Sequence, residues 1–307
     1  MSTLSQQVNE YLRVRRALGY KLEREGRLLA DFVAFLDRQG VSHITADLAL
    51  HWATLPASAT TRWWALRLST VRRFAEYLRA FDAQTETPPS DLLPHVKPRR
   101  LAPYVYTDDE VLTLMAATHT LRGLKAHTYA TLFGLLASTG MRVGEVLALD
   151  RSDIDWQQGV LVVRHSKFGK SREVPVHPTT VQALQAYSQA RDHGLPRISS
   201  PAFLVSLAGT RLHYKNVHRG FLHLLRQAGM ADRQPRRPRL HDLRHTFATQ
   251  TLSRWYREGM DVQACLPMLS TYLGHVCPSH TYWYLTATPD LLKVASGHFE
   301  QSLGELP

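Results

Sequence analysis

The sequence predicts a mainly α-helical protein with a small antiparallel β-sheet. Apolar residues recur at helical spacing through most of the chain, and β-rich runs are confined to residues 160–176 and 203–205. One proline-rich basic stretch separates an all-helical N-terminal part from a mixed α+β C-terminal part. With 307 residues and 44% apolar content the chain can bury a sizeable core and is long enough for two domains. The expected boundaries are 1–87 for a helical domain, 88–103 for a linker and 104–307 for the second domain.

Leu4, Val8, Tyr11, Leu12 and Leu18 mark a first helix, and Leu28, Leu29, Phe32, Val33 and Phe35 a second over 22–36. Thr45 and Thr60 are N-caps, the first for a short helix ending near Pro56, the second for a longer one. On that fourth helix Trp63, Leu66, Thr70, Phe74, Tyr77, Leu78 and Phe81 form an apolar face. Arg62, Arg67, Arg72, Arg73 and Arg79 lie mostly off it, as a basic flank for phosphate or as a solvated bundle face. Five prolines then block helix between Asp82 and Pro103, where Lys97, Arg99 and Arg100 are cations on an extended linker.

The second domain opens with a capping box at Thr107-Asp108-Asp109-Glu110. A helix from Tyr129 to Ala137 ends at Ser138-Thr139-Gly140, and another restarts at Arg142, which places that guanidinium at a helix start suited to anions. Val160 to Val163 and Arg172 to Val176 read as a hairpin with Lys167 beside its turn, and Phe203-Leu204-Val205 as a third strand. Pro178 starts a helix to about Arg191. Tyr214 to Gln227 forms another, with Lys215, Arg219 and Arg226 exposed. Arg233, Arg236, Arg237 and Arg239 alternate with prolines in a basic loop that feeds into His241. Asp290 to Leu303 forms a last short amphipathic helix with Leu291, Leu292, Ala295, Phe299 and Leu303 on one face.

Thirty-seven Lys and Arg against 26 Asp and Glu give a net charge of +11, spread over both halves, so the expected partner is a polyanion such as nucleic acid. No apolar run long enough to span a membrane and no signal-peptide pattern occur, which predicts a cytoplasmic protein. Cys265 and Cys277 fit no ligand spacing or disulfide framework; both are expected as reduced thiols, with packing as the role of Cys277.

The chemistry concentrates between Leu240 and Leu285. His241 and Arg244, three apart, share a helix face and point at one locus. Two arginines, Arg142 and Arg244, could each present a planar fork to the non-bridging oxygens of a phosphodiester. His241 and His245 at i,i+4 invite a zinc reading, but the residues between them lack the metalloprotease glutamate and place a cation beside the ion, so no metal or other cofactor is expected.

Thr139-Gly140-Met141-Arg142 with Glu145, Lys167 eight residues before Pro175, His241-x-x-Arg244, Leu273-Gly274-His275, and Tyr284 nine residues after that histidine together resemble the tyrosine recombinases, also called the phage integrase or Xer-type family. The resemblance implies an N-terminal helical core-binding, SAM-like bundle and an α+β catalytic domain. It implies that Tyr284 attacks the scissile phosphate and becomes joined to a DNA 3′ end, releasing a 5′ hydroxyl. Arg142 and Arg244 would stabilise the phosphorane charge, and Lys167 would protonate the leaving 5′ oxygen. His241 would accept the tyrosine proton or bond the phosphate, His275 would donate to a non-bridging oxygen, and Glu145 would orient a neighbour.

Tyr282 stands two residues from Tyr284 as a rival nucleophile. The interval from Arg244 to His275 is longer than the usual Xer pattern, and LPMLSTYLGH followed by TYWYL looks like recombinases carried on mobile elements, hence transposition. The resemblance further implies a double-stranded recombination site as substrate. It implies a homotetramer or dimer-of-dimers on paired sites, with or without sister recombinases, whose C-terminal helix docks on the next protomer. DNA relaxation of the type IB topoisomerase kind and a non-catalytic DNA-binding module stand as alternatives.

Overall fold

The computed structural model describes residues 3–94, 102–164, 171–195, 198, 200–234 and 236–287. The chain divides into two compact units, Met1–Arg100 and Leu101–Pro307.

Among the described residues the first unit holds four helices: α1 (Thr3–Ala17), α2 (Glu23–Arg38), α3 (Ala46–Thr54) and α4 (Thr61–Leu78). The Thr45 and Thr60 hydroxyls accept from the Leu48 and Trp63 amides, satisfying orphan donors at the starts of α3 and α4. Leu29, Phe32, Trp52, Val71 and Phe74 form the buried centre. Three expectations differ. Leu18 and Phe81 are exposed, because α1 ends at Ala17 and α4 at Leu78, short of both. Arg67, expected on the basic flank, is buried: its guanidinium lies 3.7 Å from the Trp52 ring centroid, and Nη2 donates to Trp52 O at 2.9 Å. Arg72 donates to the carbonyls of Pro88 and Pro89, both at 2.7 Å, and Leu92 and Leu93 pack on the core, so the first part of the expected linker folds back onto this unit.

The second unit contains α5 (Asp108–Ala117), α6 (Leu124–Thr139), α7 (Val143–Ala148), β1 (Ile154–Asp155), β2 (Val160–Val163), β3 (Arg172–Pro175), α8 (Pro178–Gly194), α9 (Tyr214–Gln227), α10 (Asp242–Arg257), α11 (Val262–Leu273) and α12 (Ser279–Ala287). The Thr107 capping box starts α5, with both reciprocal bonds at 3.1 Å. The three strands are antiparallel in the order β1-β2-β3, with Val163 opposite Arg172 and Val160 opposite Pro175. The hairpin tip, Lys167 included, lies outside the described residues, as do Lys97, Arg99 and Arg100 and the expected helix over 290–303.

Helix α6 begins five residues before Tyr129, and it packs against α5, α8 and α10 at the centre of the unit. The expected strand at 203–205 is not a strand of the sheet; β1 takes that place. The carbonyls of Ala202 and Phe203 accept from the buried Arg191 Nη1 at 3.0 and 2.8 Å, and the Val205 amide donates to Tyr187 Oη at 3.2 Å. Side chains of α8 thus satisfy part of this backbone, and the rest pairs only in isolated bridges, Ala202 with Asp150 and Val205 with Arg211. Among the described residues no helix is long and apolar enough to cross a membrane.

Helix α9 approaches Tyr129 of α6 so closely that a Cβ on Gly220 would lie 2.1 Å from the phenol oxygen and 2.5 Å from Cζ. Gly220→Ala is therefore expected to destabilise the second unit by about 1–3 kcal/mol through overpacking. Tyr129→Phe alone should cost about 1 kcal/mol, the hydrogen bond to Asn216 O, and should recover part of the loss in the double variant. Urea melts of the three variants measure this, and a fully additive double variant would contradict it.

Candidate active site

Arg244, in the first turn of α10, is only 2% exposed. Its Nη1 donates to Gly140 O at 2.8 Å and its Nη2 to Leu273 O at 2.7 Å, carbonyls at the C-terminal ends of α6 and α11. Orphan carbonyls at a helix end are where a cation is favoured. Gly140 and Gly274 cap these ends with φ of 59° and 67°, left-handed conformations that suit glycine. Burial first, and the nearby Arg142 charge second, draw the Arg244 pKa down to about 10, so it remains a cation at neutral pH.

Arg142 precedes α7 and its amide donates to Glu145 Oε2 at 2.9 Å, while its Nη1 donates to Glu145 Oε1 at 2.8 Å and its Nη2 to Gly274 O at 3.0 Å. Glu145 is buried and shared. Arg172, at the start of β3, grips it with two nitrogens at 3.0 and 2.9 Å and sends Nε to Tyr272 O at 2.9 Å. Burial alone would raise the Glu145 carboxyl, but bonds from Arg172 and from the Arg142 amide and guanidinium hold it down at about 2. At Gly274 a Cβ would also lie 2.7 Å from Arg172 Nη1.

Tyr284 on α12 is 3% exposed, with Oη 3.1 Å from His245 Nδ1. Burial raises its pKa, and the Arg244 and Arg142 charges oppose that rise. The His275 ring stacks on the Tyr284 ring at 6.2 Å and 17°, and its Nδ1 lies 2.7 Å from the hydroxyl of buried Thr281. The long interval between Arg244 and His275 is filled by the rest of α10 and by α11, whose Leu266, Leu269 and Leu273 join Ala248, Leu252 and Tyr284 in one apolar cluster. His241 meets His245 edge-on at 4.8 Å. His241 is accessible from solvent, yet desolvation by the surrounding wall comes first in lowering its pKa to about 4, followed by the Arg244 charge. For His245 and His275 burial again comes first, and both fall to about 3. Two neutral imidazoles and two arginine charges thus act on one phenol, with His241 behind His245, an arrangement that accepts an anion.

The structure brings Arg142, Glu145, Arg244, His275 and Tyr284 together, with His241 adjoining through His245; Lys167 lies outside the described residues. Tyr282 is 50% exposed. Sequence reasoning missed Arg172, His245 as a partner of the phenol, and Thr281. For Arg172 there was a signal: strand alternation places it on the same face as buried Val174, and an inward cation demands an anion. Cys277 is exposed, accepting from Ser279 Oγ at 3.0 Å, so it does not pack as expected.

Of the cations offered for DNA, Arg62, Arg73, Lys215, Arg219, Arg237 and Arg239 are exposed. Arg236 and Arg239 are held by the buried Asp242 carboxylate, at 2.9 and 2.8 Å, so the basic loop is pinned to the start of α10.

The sequence profile described as the Phage integrase family matches residues 105–290. An integrase/recombinase-type protein, y4rB, of Sinorhizobium fredii is 44% identical over 309 residues, covering 98% of each chain. Among solved structures, the Tn1549 transposon integrase in complex with transposon right-end DNA aligns with a TM-score of 0.67 at 18% identity, over 98% of this chain and 99% of that one. A lambda integrase dimer bound to a COC′ core site aligns at 0.61 and 18%, over 90% and 96%.

The depressed pKa values fix how stability depends on pH. Each histidine is neutral in the fold below its ordinary 6.5, so the unfolded chain binds protons more readily and stability falls as pH drops from 6.5 towards 4 and 3. Glu145 contributes stability present above 4.5 and lost as pH falls through about 2, on the order of 3 kcal/mol. Urea melts between pH 7 and 3 should show both trends. Glu145→Gln, which leaves Arg172 without its anion, should lose about 3 kcal/mol at pH 7 and show a shallower slope below pH 4.5. An unchanged acid slope would remove Glu145 from this role.

Proposed function

This chain belongs to the phage integrase family of tyrosine recombinases, and we propose that its site-specific strand cleavage and rejoining runs through Tyr284 as the nucleophile. The observation that carries the reading is the placement of the Tyr284 phenol, which is 3% exposed, with its oxygen 3.1 Å from an imidazole and the Arg244 and Arg142 charges drawing its pKa down against burial. Attack of Oη on the scissile phosphorus joins the tyrosine to the DNA 3′ end and releases the 5′ hydroxyl. The phosphotyrosine ester conserves the broken bond's energy, so rejoining to another 5′ hydroxyl needs neither nucleotide hydrolysis nor a metal.

Arg142 and Arg244 stabilise the additional charge on the pentavalent phosphorus, as positioned cations do in phosphoryl transfer. Glu145 fixes Arg142 by two hydrogen bonds and shares its own charge with Arg172, which leaves the cluster net positive. His275, with Nδ1 bonded to Thr281, has Nε2 free of that bond to donate to a non-bridging oxygen when Thr281 is the donor. His241 contacts the phosphate from the accessible rim, and Lys167 supplies the proton to the leaving 5′ oxygen. The substrate is duplex DNA carrying a recombination site. Phosphate contacts from exposed cations such as Arg62, Arg73, Lys215, Arg219 and Arg237 give most of the affinity.

We assign the working assembly as a dimer-of-dimers on paired sites and the setting as a mobile element. The dimeric lambda integrase complex and the Tn1549 integrase are the supports for this.

A nicked suicide substrate carrying the cognate site should trap a covalent protein–DNA adduct. Tyr284→Phe should abolish it, Tyr282→Phe should retain it, and a chelator should leave it unchanged. Arg142→Ala and Arg244→Ala should each slow adduct formation by about 100-fold or more. An adduct that survives Tyr284→Phe would overturn the nucleophile assignment, and its absence from the wild-type chain on cognate DNA would favour a binding module instead.

A further inference from the structure

Two imidazoles border the Tyr284 phenol and a third adjoins through one of them, and they differ in what they offer its oxygen. His275 lies face to face with the Tyr284 ring and commits Nδ1 to Thr281. His241 meets the edge of His245. The imidazole within hydrogen-bonding distance of Oη is His245, through Nδ1 at 3.1 Å. His245 follows Arg244 on α10, about 100° round its axis, and the Tyr284 phenol meets both, the imidazole through Nδ1 and the guanidinium through its charge.

We propose that His245 is the proton acceptor for Tyr284, an assignment that rests on Tyr284 being the nucleophile. As Oη forms its bond to phosphorus, the phenolic proton passes to His245 Nδ1, and the P–O5′ bond breaks with O5′ taking a proton from the leaving-group acid. In rejoining, the incoming 5′ hydroxyl loses its proton to that acid's conjugate base, and the imidazolium returns its proton to Oη as the ester bond breaks. Arg244 beside the phenol stabilises the negative charge that Oη develops while the proton leaves.

The ring is neutral before DNA arrives, as an acceptor must be, because burial and the adjacent His241 and arginine charges disfavour its cation. A phosphodiester entering beside Arg142 and Arg244 offsets those charges and makes the imidazole more basic at the moment a base is needed. His245 also packs on Trp283 at 5.4 Å, so its removal could loosen α12 without any proton being involved. The test therefore has to separate packing from proton transfer.

The full-length chain is made with Tyr284 either natural or replaced by 3,5-difluorotyrosine, whose phenol ionises far more readily and has little need of a base. Single-turnover adduct formation on the nicked suicide substrate is measured at saturating DNA. In the natural-tyrosine background His245→Gln and His245→Asn, which keep a hydrogen-bonding amide but cannot carry a proton, should each slow the reaction about 100-fold. With difluorotyrosine the same variants should fall within about tenfold of their His245 parent.

Equal losses in both backgrounds would make His245 a packing residue and overturn the proposal. A loss that shrinks for His241→Gln but not for His245 would transfer the role to His241. If one amide variant fails to fold by its thermal melt, the other carries the comparison. If both fail, the natural chain decides through its pH–rate profile, whose ascending limb should flatten with difluorotyrosine; an unchanged limb overturns the proposal. Failure of the nucleophile reading stays distinguishable, because it appears as an adduct that persists in Tyr284→Phe.

Discussion

The buried guanidinium of Arg244 is the constraint on which the rest of the site depends. Taking a charge out of water costs several kcal/mol unless it is well bonded, and here the compensating acceptors are the carbonyls of Gly140 and Leu273. They terminate α6 and α11, far apart in sequence, so satisfying one cation fixes both helix ends relative to α10. Arg142 follows the first carbonyl by two residues and His275 follows the second by two. The glycines at 140 and 274 turn the chain with positive φ at those points, which sends it towards the site. A lysine could not replace this arginine, since two separate nitrogens of the planar fork serve two carbonyls while its charge acts on the phenol.

Charge balance follows from that geometry. Arg142 and Arg172 meet one buried carboxylate, Glu145, while Arg244 is held by carbonyl dipoles rather than an anion, so the cluster carries excess positive charge. Burial first, with the nearby arginine charges adding to it, keeps the three imidazoles neutral well below their ordinary pKa. An incoming phosphodiester therefore relieves a repulsion already built into the fold, and neutralisation and activation coincide. Arg172 matters here because it engages both oxygens of Glu145; without it the carboxylate would be left to Arg142 alone and would cancel the charge meant for phosphate.

Much of this was legible in the sequence, and the omissions share a physical cause. Helix starts announced by Thr45, Thr60 and Thr107 are local chemistry, a hydroxyl three residues from an orphan amide, and the structure forms all three caps. The spacing of Arg142, His241, Arg244 and His275 was readable because each stands at a helix end or first turn, whereas Tyr284 lies inside α12. Arg67 and Arg172 were misread or passed over because an arginine reads as surface until its partner is known, and those partners, the Trp52 ring and the Glu145 carboxylate, lie 15 and 27 residues away. The Phe203–Val205 run has strand composition, but composition cannot foresee that Arg191 and Tyr187 would satisfy its backbone first. His245 stood beside Arg244 in plain view, and what concealed its contact with Tyr284 was the path of α12, a tertiary fact.

The choice between Tyr282 and Tyr284 turns on the same helix. Had the segment been extended, residues two apart would lie on one face and both phenols could reach one phosphate. Residues 279–287 are helical instead, and two positions on a helix are separated by about 200°. One of the pair must face away, and burial identifies it: Tyr284 enters the cluster made by α10 and α11, while Tyr282 stays half exposed. A nine-residue helix is marginal alone, so this packing is what holds α12 in place. It also buries the phenol and raises its pKa. The apolar cluster that anchors the proposed nucleophile thus works against its ionisation, since burial that raises a phenol's pKa makes unassisted ionisation slower as well as rarer.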